Sequence, residues 1–432
     1  MTSISFWQAE LETSGGRGIE AAGPLEGNVE TEVAVVGAGI TGTATALWLA
    51  RAGVPTRVLE ARRIAAGASG RNGGFLATGT VEPYASIIER FGREQARQLW
   101  AASVRNAELA EGLIEELQGQ GWLCGYRRNG SLKLAGNEAE LADVRESVRL
   151  LREDGWNATM VERAELPTRL RSAYVGGSFN PDNAEIQPAK FVLGLAQLAQ
   201  QAGAVFHEKS PVSHILPDDE GVTLHTERGS VRARNVVLAM NAWLPGLSAP
   251  GKQLDAQWLA QCITPTRGQM IATEPVGERL FPCPCSGDHG YQYWRQLEDG
   301  RLVVGGWRNY SLETEYSTDE TPNEAVQRHL DAFVHEILGL PQVRTDYRWA
   351  GIMAFSKDSL PLVGRLPDVP HCYISGGYTG HGNAYALQCA RIIGELVQGR
   401  SQSNAVMPDE AQYRAADLFD PARFTSGMQT IY

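Results

Sequence analysis

The sequence predicts a mixed α/β chain in which a Rossmann-like βαβ domain joins a second domain on mostly antiparallel sheet. Three observations carry that expectation. Residues 31 to 60, TEVAVVGAGITGTATALWLARAGVPTRVLE, hold strand, glycine turn, helix and second strand in unbroken order. Residues 235 to 240, NVVLAM, are a continuous apolar run of the kind buried in a parallel sheet. Residues 267 to 273 and 291 to 294 alternate polar with apolar, and 302 to 306 add a further short strand, which together suggest an antiparallel sheet.

In the first of these, Val33 to Val36 is a β-branched and apolar run that feeds into Gly37, Gly39 and Gly42 at G-x-G-x-x-G spacing. Gly37 permits the tight turn, Gly39 lets backbone approach a pyrophosphate, and Gly42 lets the helix pack closely on the sheet. The helix, about Ile40 to Ala52, would turn its N-terminal amides and dipole to the phosphates. Gly53 ends it, and Val54 to Leu59 leads to Glu60, whose carboxylate is placed to accept ribose hydroxyls. A lone glycine motif is weak, but the ordered set of strand, turn, helix, strand and acid points to a dinucleotide site.

Composition bounds the rest. At 432 residues the chain exceeds a single core, so two domains are expected. A net charge of −11 without a basic block argues against nucleic acid or an anionic membrane as partner. Six cysteines stand apart from one another save Cys283 and Cys285, with no CxxC pair and no histidine cluster at zinc spacing. They read as reduced thiols of a cytoplasmic protein without a metal. No charged leader precedes an apolar core, and no apolar run is long enough to span a bilayer.

Residues 1 to about 27 are polar and glycine-rich except for Phe6 and Trp7, which are expected to pack on the body as a lid or arm. After Glu60 comes ARRIAAGASGRNGGF, whose Gly67, Gly70, Gly73 and Gly74 exclude a regular element interior. That loop could lie on a flat ring, extend a phosphate cradle, or be plain surface. Tyr84 to Gln118 and Glu138 to Asp154 carry helical apolar spacing and are assigned to packing. Ala189 to Ala202 reads as helix and Ala204 to Phe206 as strand. Residues 212–215, 222–226 and 230–233 read as a small antiparallel set. Tyr291, Tyr293, Trp294, Arg295, Trp307 and Arg308 crowd the strand ends of the second sheet, as core packing or as a pocket wall. Finally Cys372 to Ser375 is a strand, Gly376 to Gly382 holds four glycines, and Asn383 to Leu396 is an apolar-striped helix. A second helix N-terminus there would face the electron-rich end of a long cofactor.

With these stretches in order, the chain resembles the D-amino-acid oxidase family of flavoproteins, nearest to its γ-glutamylputrescine oxidoreductase-like members, with glycine and sarcosine oxidases as cousins. The residues that carry the resemblance are VVGAGITG with Glu60, GASGRNGGF, NPDNAEIQP at 180 to 188, NVVLAMNAW, RGQM, DSLPLVG and SGGYTGHGNAYA. The resemblance implies a Rossmann-like FAD domain (about 28–95, 165–240 and 343–405), a substrate domain (96–164 and 241–342), and a tail from 406 to 432. It implies FAD held by Gly37, Ala38, Gly39, Ile40, Thr41, Gly42, Glu60, Ala61 and Arg62 at the ADP half and by Val212 near the adenine. Ala68, Ser69, Arg71, Asn72, Gly73 and Gly74 with Gly380, His381, Gly382 and Asn383 would enclose the ring, and Asn241, Trp243 and Gly377 are further expected FAD contacts. The chemistry it implies is cofactor chemistry: an amine with an α C–H passes hydride to flavin N5 and leaves as an imine that water hydrolyses. Tyr291, Tyr293 and His381 are the expected catalytic contacts, though His381 is as readily a loop histidine bonded to backbone. Arg295, Trp307, Arg308, Trp349, Met353 and Tyr378 are the expected substrate wall.

Three departures from the family pattern sharpen this. Glycine-oxidase-like members clamp the substrate carboxylate with an arginine near the W-x-G segment, and Met353 stands there instead. The substrate is therefore expected to be an amine, with any carboxylate distant and reached by Arg295 or Arg308. Sarcosine-oxidase-like members attach flavin through a cysteine before the last glycine loop, where this chain has Asp358-Ser-Leu-Pro361, so noncovalent FAD is expected. Those enzymes also place a lysine by the flavin, and the strand from Arg301 to Gly306 has none. Oxygen and a different electron acceptor thus stay open. The rivals are a nicotinamide dehydrogenase, an oxidase of glycine, sarcosine or D-amino acids, and a flavin-binding protein without catalysis.

Overall fold

The computed structural model describes residues 4–13, 23–248, 254, 258–399 and 415–425. The rest of the expected arm and most of the expected tail lie outside them. The chain is mixed α/β, as the sequence implied, and rests on two eight-stranded sheets.

The first sheet is built on the strand Gly27–Val36, which pairs in parallel with Gly229–Leu238 on one side and Thr56–Leu59 on the other. Val205–His207 continues one edge in parallel, and Cys372–Gly376 continues the other. An antiparallel strand, Leu362–Arg365, closes that side. The middle strands are apolar on both faces because both are covered: Val33, Val35 and Val58 pack against helices, and Ala34, Val36, Leu59, Val236 and Leu238 pack with Ile215, Val222, Leu224 and Leu244. Ile40–Arg51 packs between Pro188–Gln201 and Gly382–Val397, so the helices after the two glycine turns lie side by side. The sequence divides residues 230 to 240 into an antiparallel piece and a buried piece. They are one strand, Gly229–Leu238, whose first half also carries the hairpin His214–Pro217 and Val222–His225. Val212 lies in the loop before that hairpin.

The second sheet runs Thr345–Ser356, Ile263–Pro275, Arg301–Gly306, Gln292–Gln296, Cys285–Gly287, Ser131–Ala135, Gly176–Asn180 and Thr159–Glu162. All its pairings are antiparallel except that of Cys285–Gly287 with Ser131–Ala135. The expected helix from Tyr84 to Gln118 is two, Tyr84–Phe91 and Arg93–Gly119. The break is at Gly92, whose φ of +85° is left-handed and outside any helix. Among the described residues no helix is long and apolar enough to cross a membrane.

Candidate cofactor site and active site

The turn after Gly27–Val36 is as tight as its sequence suggests. Gly37 has φ +103°, and a Cβ added to Gly42 would lie 1.9 Å from the Gly37 carbonyl oxygen, so no larger residue lets the helix start there. At the end of the next strand Glu60 accepts hydrogen bonds from the amides of Ala38 and Arg62, both at 2.8 Å. Burial nevertheless raises its pKa above the ordinary carboxylate value, with the two amides pulling the other way. A carboxylate so held has lone pairs left for a pair of hydroxyls.

The second glycine turn closes on the first. Thr41 Oγ1 and Tyr378 Oη are 2.9 Å apart, and Tyr378 Oη is also 2.9 Å from Ser375 Oγ. Burial lifts the Tyr378 pKa far above its ordinary value, so it stays a phenol and serves as a tie between the turns. Asn383 Nδ2 donates to Asn72 Oδ1 and to the Phe75 carbonyl, both at 3.1 Å, which joins the 68–74 loop to the same place. Ser69 Oγ accepts from the Ile40 amide at 3.0 Å, so that loop also reaches the first helix. Three stretches far apart in sequence thus form one wall.

They enclose a cavity of about 880 Å³. That is near the top of the range usual for ligand pockets, about 300–1,000 Å³. Gly37 to Thr41, Glu60, Ala61, Arg62, Val212, Asn241 and Trp243 line one stretch of it. Ala68, Ser69, Arg71, Asn72, Gly73, Tyr378, Gly380, His381, Gly382 and Asn383 line it too, with Tyr293, Arg308 and Met353 beside them. A Cβ on Gly380 would stand 3.7 Å from Met353 Sδ and 3.9 Å from Phe355 Cζ, which fixes the thioether against the second turn. Burial first, and then the positive charges of Lys133 and Arg308, hold the His381 pKa down to about 4, only partly offset by the Thr379 backbone. Its Nδ1 is buried and makes no hydrogen bond of normal geometry. The imidazole therefore stands on the cavity wall in its neutral form.

Seven expected residues stand off the wall. Gly42 packs on the turn, the Gly74 carbonyl is occupied by the Ile186 amide and Arg295, and the Gly377 amide donates to Asn241 Oδ1. Arg295 lies behind the wall: it donates to the carbonyls of Gly74 and Ile186, lies 3.5 Å from Glu185 and stacks on Trp7. It cannot reach a substrate. Trp307 is buried against Phe333, and Trp349 donates Nε1 to the Arg71 carbonyl at 2.8 Å, so both shape the wall from behind. Tyr291 lies one layer back, with the Arg308 guanidinium 4.3 Å from its ring.

Sequence reasoning passed over Phe75, Ser286, His289 and the segment Thr318 to Glu320, all on the wall. Phe75 lies in the quoted GASGRNGGF stretch and packs edge-on to Tyr293, so it was within reach of the motif. The 318–320 segment is short, polar and without periodicity, and nothing local marks it. Glu320 pairs there with Arg62 at 2.6 Å and lies 3.6 Å from Arg71. Among the described residues no group of three or more His, Cys, Asp or Glu is placed to hold a metal.

Comparison with known proteins agrees with this geometry. The family model described as FAD dependent oxidoreductase (DAO) matches residues 32–396. The chain is 31% identical over 392 residues to the γ-glutamylputrescine oxidoreductase of Escherichia coli, covering 88% of this chain and 86% of that one. It is 25% identical over 374 residues to the glycine oxidase of Bacillus subtilis, covering 85% and 93%. Among solved structures, the L-proline dehydrogenase from P. horikoshii superposes with a TM-score of 0.73 at 23% identity, over 93% of this chain and 99% of that one. Both glycine turns fall inside the matched span, so the chain belongs to the DAO family of FAD-dependent oxidoreductases.

Proposed function

We propose that this protein oxidises the C–N bond of an amine with FAD bound noncovalently along the cavity. The fit of the residues present supports the cofactor. Glu60 offers a buried carboxylate to ribose hydroxyls, the amides from Gly39 onward and the Ile40–Arg51 helix dipole suit a pyrophosphate, and Val212 and Trp243 flank the adenine end. Ala68 to Gly73 and Gly380 to Asn383 would enclose the ring. Among the described residues no cysteine lines the cavity, which supports noncovalent binding, and the six buried free thiols support a cytoplasmic setting. Bound FAD supplies the two-electron acceptor.

The chain's own residues then hold and orient the amine. Phe75, Tyr293 and Met353 make an apolar, ring-lined end that excludes water and favours an uncharged amine, and neutral His381 adds no competing charge. The Tyr293 phenol, its pKa raised by burial, can hold a substrate nitrogen or oxygen by hydrogen bonding but not as a base. The observation that carries the amine reading is Met353. A thioether on this wall cannot hold an α-carboxylate, and the similarity to γ-glutamylputrescine oxidoreductase points the same way.

The test is anaerobic. Purified yellow protein is mixed with γ-glutamyl amines, polyamines, N-methyl amino acids and D-amino acids, and flavin absorbance is followed. Bleaching by amines that lack an α-carboxylate is expected. Bleaching by glycine or D-alanine alone would replace the amine with an amino acid as substrate, and bleaching by none would leave a flavin-binding protein without this catalysis.

A further inference from the structure

We infer that Arg267, behind the cavity wall, positions Glu320 for its pairing with Arg62 and Arg71, so that cofactor retention depends on a strand of the second sheet. The inference goes beyond amine oxidation and rests only on the noncovalent FAD of the reading above. RGQM, one of the stretches that carry the family resemblance, is part of the strand Ile263–Pro275, where successive side chains point to opposite faces. Gly268 and Met270 accordingly lie on the cavity wall. Arg267 and Gln269, both buried, point the other way.

Arg267 faces residues 314–323. Its Nε and Nη2 donate to the two carboxylate oxygens of Glu315, at 3.1 and 2.9 Å, and Glu315 is fully buried. Gln269 Nε2 donates to the same carboxylate at 2.9 Å, and Gln269 Oε1 accepts from the Asn323 amide at 2.9 Å. The rest of the Arg267 fork goes to backbone. Nη2 also donates to the Thr314 carbonyl at 3.0 Å, and Nη1 donates to the carbonyls of Asp319 and Thr321, at 3.4 and 2.9 Å. Those last two carbonyls belong to the residues on either side of Glu320. One guanidinium thus holds Thr314, Glu315, Asp319 and Thr321 together, and a lysine ammonium has no planar fork to span them.

Glu320 is the residue so held in place. It is buried, and its carboxylate lies 2.6 Å from Arg62 and 3.6 Å from Arg71. Both arginines line the cavity, as do Thr318 to Glu320. Residues 316–321 belong to no helix or strand, so ordering them costs backbone entropy that the bonds to Arg267 offset. With its neighbours already fixed, Glu320 meets the two arginines at little further cost. The one strand therefore shapes the wall with Gly268 and Met270 and sets the far side of the cofactor's enclosure through Arg267.

The experiment follows FAD release from loaded protein by stopped-flow fluorescence in wild type, Arg267→Lys, Glu320→Gln and the double variant. Arg267→Lys keeps the charge opposite Glu315 and loses the fork. Release about 10-fold faster is expected, since charge-assisted bonds to both neighbours of Glu320 are lost. The double variant should release no faster than Glu320→Gln alone, because Arg267 acts through that carboxylate, whereas a residue that only stiffened the fold would add its own effect. Hydrogen exchange in residues 314–323 should rise in Arg267→Lys while that of the strand Gly27–Val36 stays as in wild type. Should Arg267→Lys fail to take up FAD, Gln269→Met, which removes the bonds to Glu315 and Asn323 without leaving a charge unpaired, decides by the same comparisons. Release at the wild-type rate in a loaded variant, or additive rates in the double variant, would overturn the inference. Flavin that stays with acid-denatured protein would instead overturn noncovalent binding, and hydrogen exchange in residues 314–323 would still decide the role of Arg267.

Discussion

At the scale of single residues, His381 shows how environment sets chemistry. The sequence leaves a catalytic and a structural histidine equally open, and the fold places the ring on the cavity wall in its neutral form. Its folded pKa lies near 4, below the ordinary value of 6.5, so the unfolded chain takes the proton first as pH falls. The stability that depends on a neutral His381 is therefore complete above about 6.5 and lost as pH falls through about 4. The loss accrues at up to about 1.4 kcal/mol per pH unit. Urea unfolding between pH 7.5 and 4.5 should show this slope in wild type and a shallower one in His381→Asn. Equal slopes would mean that the imidazole titrates normally. Arg295 and Arg308 make the complementary point. Two arginines thirteen positions apart looked equivalent in sequence, and only the fold shows one spent on carbonyls and Glu185 and the other turned to the cavity.

At the scale of elements, the short helix Phe6–Thr13 is the one whose consequence outruns its size. Phe6 and Trp7 are buried, as their isolation in a polar stretch suggested. What they hold was not readable. Ser5 Oγ donates to the Gly70 carbonyl at 2.7 Å, Trp7 Nε1 to the Asn72 carbonyl at 2.8 Å and Gln8 Nε2 to the Ala65 carbonyl at 3.1 Å. The helix thus clamps the back of the loop whose front lines the cavity. Trp7→Ala should leave the sheets intact yet weaken FAD binding by about 10-fold, as expected for losing a partly buried hydrogen bond and its packing. A fluorescence titration reads the affinity, and hydrogen exchange in residues 65–74 should rise with it. Unchanged affinity would reduce the helix to a cover. Other elements were hidden for nameable reasons. Thr345–Ser356 carries Ala350, Gly351 and Ala354 where β-branched residues would announce a strand, and its centre is buried on both faces, so alternation is absent. Cys285–Gly287 is three residues long and exists through its neighbours alone. Gly229–Leu238 was split because its pattern changes from alternating to wholly buried at the point where the hairpin ends.

At the scale of the whole molecule, what was legible follows from how far apart a site's parts lie in the chain. The nucleotide half reads directly because turn, helix and acid sit within one βαβ unit, so spacing alone implies geometry. The substrate end is assembled from strands near 291, 306 and 353 and from loops near 75 and 381, and spacing says nothing about which side chain faces inward. The segment around Glu320 is the extreme case, for its role exists only when two distant parts of the chain meet. It comes from the stretch the sequence assigns to the substrate side, whereas its partners Arg62 and Arg71 belong to the nucleotide side. Across the cavity it acts as a latch. Glu320→Gln removes the negative charge that both arginines share. Breaking a fully buried pair costs about 3–5 kcal/mol. The Arg62 side chain is 39% exposed and screens part of this, so a loss on the order of 2 kcal/mol is expected, equivalent to FAD release about 30-fold faster. Arg62→Gln should speed release by a smaller factor, and the double variant should be no faster than Glu320→Gln, because both act on one contact. Stopped-flow measurement of flavin fluorescence on release gives the three rates. Additive effects, or release as slow as wild type in Glu320→Gln, would show that the two sides hold the cofactor independently and that closure over it depends on the turns alone.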